Sequence, residues 1–316
     1  MKHILFIDPL EKLNPKKDTS LMVAATMKAQ GIDVKLLFEK DFYLSNKMNP
    51  EFIAYDFEAE FYEDGCYIKR FELKSSLLIN LERDDVIHMR IDPPFDTRYL
   101  RYLWMLRFYQ EKGIRIVNSP DGILKFNEKL HAYIQPSSLA TYVGSSVDEF
   151  LKFSSLLRKE HHTEMILKPL DLYQGIGVEK VNLDRSDLAD KFKSKVAENN
   201  GPIVAQPFCK DVVNGEIRAL YFKGIELGSI LKVPKSGEFL ANIAQGAAFH
   251  PIELGPKIKD ECNRICNELL RDGVDFVAFD IMGDHISEIN ITCPGLLVEV
   301  SFAHKKNLAL HVLKLL

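Results

Sequence analysis

The sequence predicts an α/β protein that becomes α+β in its later part. Three observations lead there: short β-branched runs alternate with capped helical stretches up to about residue 120; strands separated by very short turns follow residue 202; and 316 residues exceed what one hydrophobic core usually holds. The first pattern is that of a parallel sheet covered by helices, and the second is that of an antiparallel sheet.

HILFI, residues 3–7, reads as the first strand. Asp18, Thr19 and Ser20 offer caps for a helix through LMVAATMKAQ, Gly31 ends it, and VKLLF follows as a second strand, completing a β-α-β unit. DVIHM (85–89) is expected as a third strand, 97–112 as a long helix, and IRIVN as a fourth strand that closes the unit near Pro120. Residues 121–200 then form a smaller unit: a helix around NEKLHAYI, a strand MILK, a glycine-bearing turn, a strand VEKV and a charged helix over 186–196. From Pro202, IVAQPF, IRALYF and IELGSILKV read as antiparallel strands, with Lys223-Gly224 as a hairpin turn. A helix over 257–271 leads into DFVAFDIMG and ISEINIT, joined by Gly283, Asp284 and His285. The domain expectation is therefore 1–120, 121–200 and 201–316.

Composition excludes several classes. With 46% hydrophobic and 27% charged residues, no tract is too polar to pack. The net charge of -4 arises from 41 basic and 45 acidic residues spread along the chain, which leaves no footprint for nucleic acid or an anionic membrane. The start MKHILFIDPL is too short an apolar run for a signal peptide, and no later run approaches a membrane span, so a cytoplasmic protein with small-molecule ligands is expected. Cys66, Cys209, Cys262, Cys266 and Cys293 are odd in number and lack CxxC spacing, against a disulfide framework or a zinc site. Cys262 and Cys266, four apart on a helix, are expected to pack in a core.

The most informative stretch is FDIMGDHISEIN. Alternate side chains of a hairpin strand share a face, so Glu288 and Asn290 point the same way and Asp280 on the partner strand comes opposite them. Three oxygen donors so gathered suit Mg²⁺, although on spacing alone a solvent-facing hairpin accounts for them equally well. Lys168, at the end of an apolar strand and followed by Gly175 and Gly177, can present its ammonium to phosphate oxygens, and Lys129 in NEKL is a second candidate. For either lysine a snorkelling surface role is the commoner outcome. Glu216 and Arg218 alternate on one strand, which fits an arginine clamp on a phosphoryl group or carboxylate, or an ordinary cross-strand ion pair.

Taken in order, DPLEKLNPKKDTS, MRIDPPFDTRYL, IVNSP, NEKL, ILKPLD, GEIRALYFKG and FDIMGDHISEINIT resemble the prokaryotic glutathione synthetases of the ATP-grasp superfamily, over nearly the whole chain. The resemblance implies an ATP-grasp fold: an N-terminal parallel α/β pre-ATP-grasp domain, a central lid and a C-terminal antiparallel-sheet domain. It implies an ATP-dependent carboxylate-amine ligase that joins γ-glutamylcysteine to glycine through an acyl phosphate, in a homotetramer or dimer. Residue by residue, it implies that Lys129, Lys168 and Gly175 bind nucleotide phosphates. The backbone of Gln206, Pro207, Phe208 and Cys209 would meet the adenine edge, and Glu216 the ribose. Asp280, Glu288 and Asn290 would hold two Mg²⁺, or Mn²⁺, with Glu288 bridging, and Arg218 would sit at the reacting phosphate and carboxylate. Asp18, Ser20, Arg90, Asp92 and Asn242 would shape the substrate site.

The chain departs from the family pattern in three places. Where the family's phosphate loop reads GMGG, this sequence has Leu172, Tyr173, Gln174 and Gly175. In KVPKSGEFLANIAQGAAFHP, of which about 235–249 is expected to be a lid that orders over bound substrates, Lys232, Leu240 and Ala248 stand where the family carries arginines, which points to altered recognition of the acid. The usual TSPT is Thr292, Cys293, Pro294, Gly295, and no histidine is placed by sequence to activate Cys293. A ligase for another acid and amine, or a nucleotide-binding protein without turnover, are the other readings these departures allow.

Overall fold

The computed structural model describes residues 1–47, 51–172, 175–235, 238, 241, 243 and 246–316. The chain opens with β1 (His3–Ile7), α1 (Thr19–Ala29), β2 (Val34–Phe38), β3 (Glu51–Phe61), β4 (Ile68–Asn80), β5 (Val86–Arg90), α2 (Thr97–Glu111), β6 (Arg115–Val117) and α3 (Pro120–Lys125). The first helices start where the sequence offers caps: the Asp18 side chain accepts from Leu21 N and Asp96 from Tyr99 N. β1 and β5 are buried along their whole lengths, as strands covered on both faces must be.

These strands form a six-stranded sheet in the order β4-β3-β2-β1-β5-β6. β2, β1, β5 and β6 are parallel, as expected. The antiparallel pair β3 and β4 was not expected, and it makes the sheet mixed. Its register shifts at Tyr55/Phe57 and again at Glu60/Phe61, so the apolar side chains fall out of a steady two-residue alternation.

The middle of the chain supplies α4 (Glu128–Tyr133), β7 (Tyr142–Gly144), α5 (Val147–Lys159), β8 (Glu164–Pro169), β9 (Glu179–Asn182), α6 (Leu188–Glu198) and β10 (Ile203–Pro207). The sheet order is β7-β10-β8-β9, all antiparallel. IVAQPF, read from sequence with the strands that follow it, instead pairs with β8 and β7. Its five residues are buried, and Ile203 and Ala205 pack with Phe150, Leu157 and Phe192 of α5 and α6.

The last part comprises β11 (Glu216–Phe222), β12 (Ile225–Val233), β13 (Ala248–Pro251), α7 (Pro256–Arg271), β14 (Phe276–Met282), β15 (His285–Asn290), α8 (Leu297–Ala303) and α9 (Ala309–Leu315). The antiparallel order is β13-β12-β11-β14-β15. Lys223 and Gly224 turn β11 into β12 with φ of 46° and 76°, the left-handed pair that a two-residue hairpin needs. Cys262 and Cys266 pack in the core between α7 and this sheet, and burial pushes both thiols up, so neither is a ligand. On the sheet's other face, Leu220, Phe222, Leu227 and Ile230 share one continuous core with α1, α8 and α9. The first and last sheets are thus joined through common helices, and the central sheet has a core of its own with α5 and α6.

Candidate active site

The face of the last sheet that opens to the cleft carries the charged residues singled out in the sequence, and strand register decides which of them meet. Arg218 of β11 lies directly opposite Asp280 of β14, and Asp280 lies opposite Glu288 of β15. Ala278 faces Asn290, so Asn290 sits one step along the same face as Glu288. Glu216 is paired with Lys232 of β12. Gly215 sets the entry to this row: its φ is 113°, and a Cβ there would lie 2.9 Å from the Lys232 carbonyl oxygen.

The side chains are knitted together. Asp280 receives Arg218 Nη2 at 3.1 Å, Lys232 Nζ at 3.1 Å and Asn290 Nδ2 at 3.1 Å. Lys232 also reaches Glu216 at 2.8 Å, although only 5% of it is exposed. Burial pushes the Asp280 carboxyl up, but Arg218 and then Lys232 outweigh it and hold the group well below the usual carboxylate range. Burial raises Glu216, with Lys232 opposing. Arg218 Nε is buried without a partner among the described residues.

From across the cleft, Lys129 Nζ meets Glu288 at 3.0 Å and donates to the Leu172 carbonyl at 2.7 Å. The Lys168 ammonium lies over the Tyr133 ring at 5.3 Å. Burial brings it down to about 8, with Glu288 opposing and Lys129 adding to the fall. Two cations therefore face three carboxylates across a cleft of about 510 Å³. Its lining includes the apolar Ile166, Val178, Phe208, Val212 and Met282, together with Gln206, Pro207 and Cys209. Gly175 also borders it, with φ of 78°.

The donor set fits a hard divalent cation. Asp280, Glu288 and Asn290 offer only oxygen ligands, on one face of one hairpin, with Asp280 ionised. No group of three His, Cys, Asp or Glu suited to an ion forms among the described residues. An ion here must therefore share its shell with phosphate oxygens and water, and draw Asp280 and Glu288 away from the cations that now neutralise them.

The N-terminal candidates divide. Asp18, Arg90 and Asp92 border the cleft. Burial pushes Asp18 up to about 6, opposed by its bond from Leu21 N and by Arg90. Arg90 is committed inside the protein: it donates to Ser20 Oγ at 2.9 Å and to the Pro294 carbonyl at 2.8 Å. Ser20, only 3% exposed, is thereby engaged in holding Arg90. Cys293 sits with its thiol 3.5 Å from the Arg90 carbonyl, and burial pushes that thiol well above its ordinary value, so it is no nucleophile. Asn242, Leu240, Tyr173 and Gln174 lie outside the described residues, as does much of the expected lid.

Glu128 and Glu299 escaped the sequence reading, and Lys232 was singled out only as a departure from the family's arginines. Glu128 accepts from Ile291 N, Thr292 N and Thr292 Oγ1 at 2.7, 2.8 and 2.8 Å, fixing the chain as it leaves the β14–β15 hairpin. Lys232 is a buried tie between Glu216 and Asp280, and Glu299 borders the cleft from α8. The alternation of Lys232 with neighbours on an apolar strand was the signal for its place in the row; a first-turn acid such as Glu128 reads simply as helix-start chemistry.

The N-terminal domain profile of prokaryotic glutathione synthetase matches residues 1–123, and that of its ATP-grasp domain matches residues 128–305. The chain belongs to the prokaryotic glutathione synthetase family. Membership makes it an ATP-dependent, divalent-metal-dependent ligase that forms a carbon–nitrogen bond between small molecules. It is similar to the glutathione synthetase of Prochlorococcus marinus subsp. pastoris, 27% identical over 98% of this chain and 96% of that one. It is also similar to the glutathione synthetase of Vibrio cholerae, 29% identical over 95% and 92%. Among solved structures it resembles in fold the D-cycloserine synthetase DcsG, with a TM-score of 0.66, 12% identity and 99% of both chains covered. A RimK domain ATP-grasp protein from Sphaerobacter thermophilus gives a TM-score of 0.61 at 13% identity, over 98% and 97% of the two chains. The ATP-grasp fold expected from the sequence is therefore the fold of this glutathione synthetase family member. No helix among the described residues is long and apolar enough to cross a membrane.

Proposed function

We propose that the chain joins the cysteinyl carboxylate of γ-glutamylcysteine to the amine of glycine, by way of an acyl phosphate made with ATP. The observation that carries this is the in-register row Arg218, Asp280, Glu288, faced across the cleft by Lys129 and Lys168. A carboxylate is a poor electrophile; phosphorylation gives it a leaving group, and the amine then attacks the carbonyl carbon. Lys129 and Lys168 bind the nucleotide phosphates. The adenine takes the apolar end, its edge against the backbone of residues 206–209, and Glu216 accepts from the ribose hydroxyls. Arg218 uses its unpartnered Nε to orient the acid and the transferring phosphoryl group. Asp280, Glu288 and Asn290 would hold two Mg²⁺, or Mn²⁺, with Glu288 shared, and the bound ions offset the charge of the transferring group. Asp18 and Asp92 border the end of the cleft that takes the remainder of the substrates, and Arg90 with Ser20 holds that end in shape.

On this reading residues 1–120, 121–200 and 201–316 act as substrate-side domain, lid and catalytic base. The protein works in the cytoplasm as a homodimer or homotetramer; five free thiols support a reducing compartment. The test is phosphate release with γ-glutamylcysteine plus glycine, in wild type and Glu288→Gln. The variant should lose turnover and keep its melting temperature, because a neutral amide is a poor bridging ligand. Wild-type turnover in the variant would sink the metal assignment. ATP turnover with another acid and none with the dipeptide would move the substrate instead, the outcome that the absence of an arginine at Ala248 favours.

A further inference from the structure

The cleft continues past Arg218 to a second end, where the start of α1 meets the start of α8. Lys17, Asp18, Thr19, Leu296 and Glu299 border it there. Glu299 is 3% exposed, and its Oε2 has no hydrogen-bond partner among the described residues. Its position is fixed: Leu297 N donates to Thr19 Oγ1 at 3.1 Å, and the Pro294 carbonyl accepts from Arg90 at 2.8 Å. The charges that act on it come from Lys17, Asp18 and Arg218. Burial raises both Glu299 and Asp18; Asp18 is partly satisfied by Leu21 N, whereas Glu299 keeps its Oε2 without a partner.

We propose that Glu299, with Asp18, forms a subsite for a primary ammonium group, and that the ammonium belongs to the acid being activated. This rests on the proposed function. A buried carboxylate oxygen with no partner is costly, and a ligand that donates a charge-assisted hydrogen bond removes the cost. The unpartnered Glu299 oxygen can only accept, so it takes a donor, while Lys17 at the same end can face a carboxylate. A zwitterionic amino-acid head therefore goes to this end, its ammonium on Glu299 and Asp18, while the reacting carboxylate goes to Arg218. γ-Glutamylcysteine has this pattern: its α-ammonium and α-carboxylate share one carbon, remote from the cysteinyl carboxylate. The acceptor amine is a poorer occupant, because it must be unprotonated to attack and an anionic pocket favours its protonated form.

The experiment measures Michaelis constants for γ-glutamylcysteine, glutarylcysteine (the same acid without the amine), glycine and ATP, in wild type, Glu299→Gln and Asp18→Asn. Gln is nearly isosteric, and Asn retains a side-chain oxygen for the helix cap. The proposal expects a rise of about tenfold or more for γ-glutamylcysteine in Glu299→Gln, the loss of one charge-assisted contact, with ATP unchanged. It also expects wild type to discriminate against glutarylcysteine and Glu299→Gln to discriminate little. A rise confined to glycine, or equal use of both acids by wild type, overturns it. Should Glu299→Gln melt early, calorimetric binding of the two acids to wild type in the presence of a non-hydrolysable ATP analogue decides by the same comparison. If wild type ignores γ-glutamylcysteine, the substrate reading fails separately. The subsite then holds only if the acid that is activated carries a primary amine whose removal weakens binding about tenfold, a loss of 1.4 kcal/mol; an amine-free best substrate overturns it.

Discussion

Lys168 shows how a binding site is kept at the expense of the ligand-free fold. Its ammonium lies over the Tyr133 ring, and burial outweighs the pull of Glu288, Glu216 and Asp280, so that its pKa falls from 10.5 to about 8. Because the folded value lies below the unfolded one, the unfolded chain binds more protons between those limits, and stability rises as pH climbs from about 8 towards 10.5. Below pH 8 the buried charge destabilises the protein by roughly 3 kcal/mol, at 1.4 kcal/mol for each unit. Lys168→Met should therefore raise ligand-free stability at pH 7 by roughly 1–3 kcal/mol in denaturant melts, with the gain vanishing near pH 10.5, while ATP affinity falls. Equal stability of the two proteins at pH 7 would show the ammonium to be solvated. Lys168 could be singled out in the sequence because it ends an apolar strand before a glycine turn, and the structure places it on the cleft. Glu299 was not, because its meaning depends on a packing contact with α1 that lies far away in sequence.

At the scale of elements, the sequence was most informative where a strand is buried on both faces or a helix starts at a side-chain cap. β1, β2, β5, α1 and α2 fall where β-branched runs and Asp caps put them. The β14–β15 hairpin was likewise legible, since its short turn fixes which residues face each other. The β3–β4 ribbon was missed for the converse reason: two register shifts break its alternation, and Arg70, Glu72 and Lys74 line an exposed strand. Its anchor is Phe57, fully buried, stacked on Phe71 at 5.2 Å and lying beneath the Lys28 ammonium at 4.9 Å. Phe57→Ala should lower global stability by about 3–5 kcal/mol. A thermal melt checks this, and a loss below 1 kcal/mol would mean that the ribbon folds independently of the core.

The whole molecule depends on contacts that no local pattern announces. The sequence separates an N-terminal parallel sheet from a C-terminal antiparallel one, and both exist, but what holds them together is distributed over single polar side chains. Asn118, following β6, is 4% exposed. Its Nδ2 donates to the carbonyls of Phe276 and Ile291 at 2.7 and 2.8 Å, and its Oδ1 accepts from Asp275 N and Phe276 N at 2.9 and 2.7 Å. One amide thus satisfies four backbone groups at the start of β14 and just beyond β15, the two strands that carry Asp280, Glu288 and Asn290. In Asn118→Ala those groups lose their partners together, and since a buried unpaired group costs roughly 1–3 kcal/mol, the loss should reach at least ~3 kcal/mol even if water enters. Because the amide bridges two sheets, the N-terminal and C-terminal halves should also stop melting as one unit. Fluorescence from the single tryptophan, Trp104 on α2, reports the first half, while loss of ATP binding reports the second. In wild type the two transitions should coincide, and in Asn118→Ala the binding transition should come first. Coincident transitions in the variant, with stability within 1 kcal/mol of wild type, would assign the joining of the sheets to the shared apolar core of α1, α8 and α9 alone.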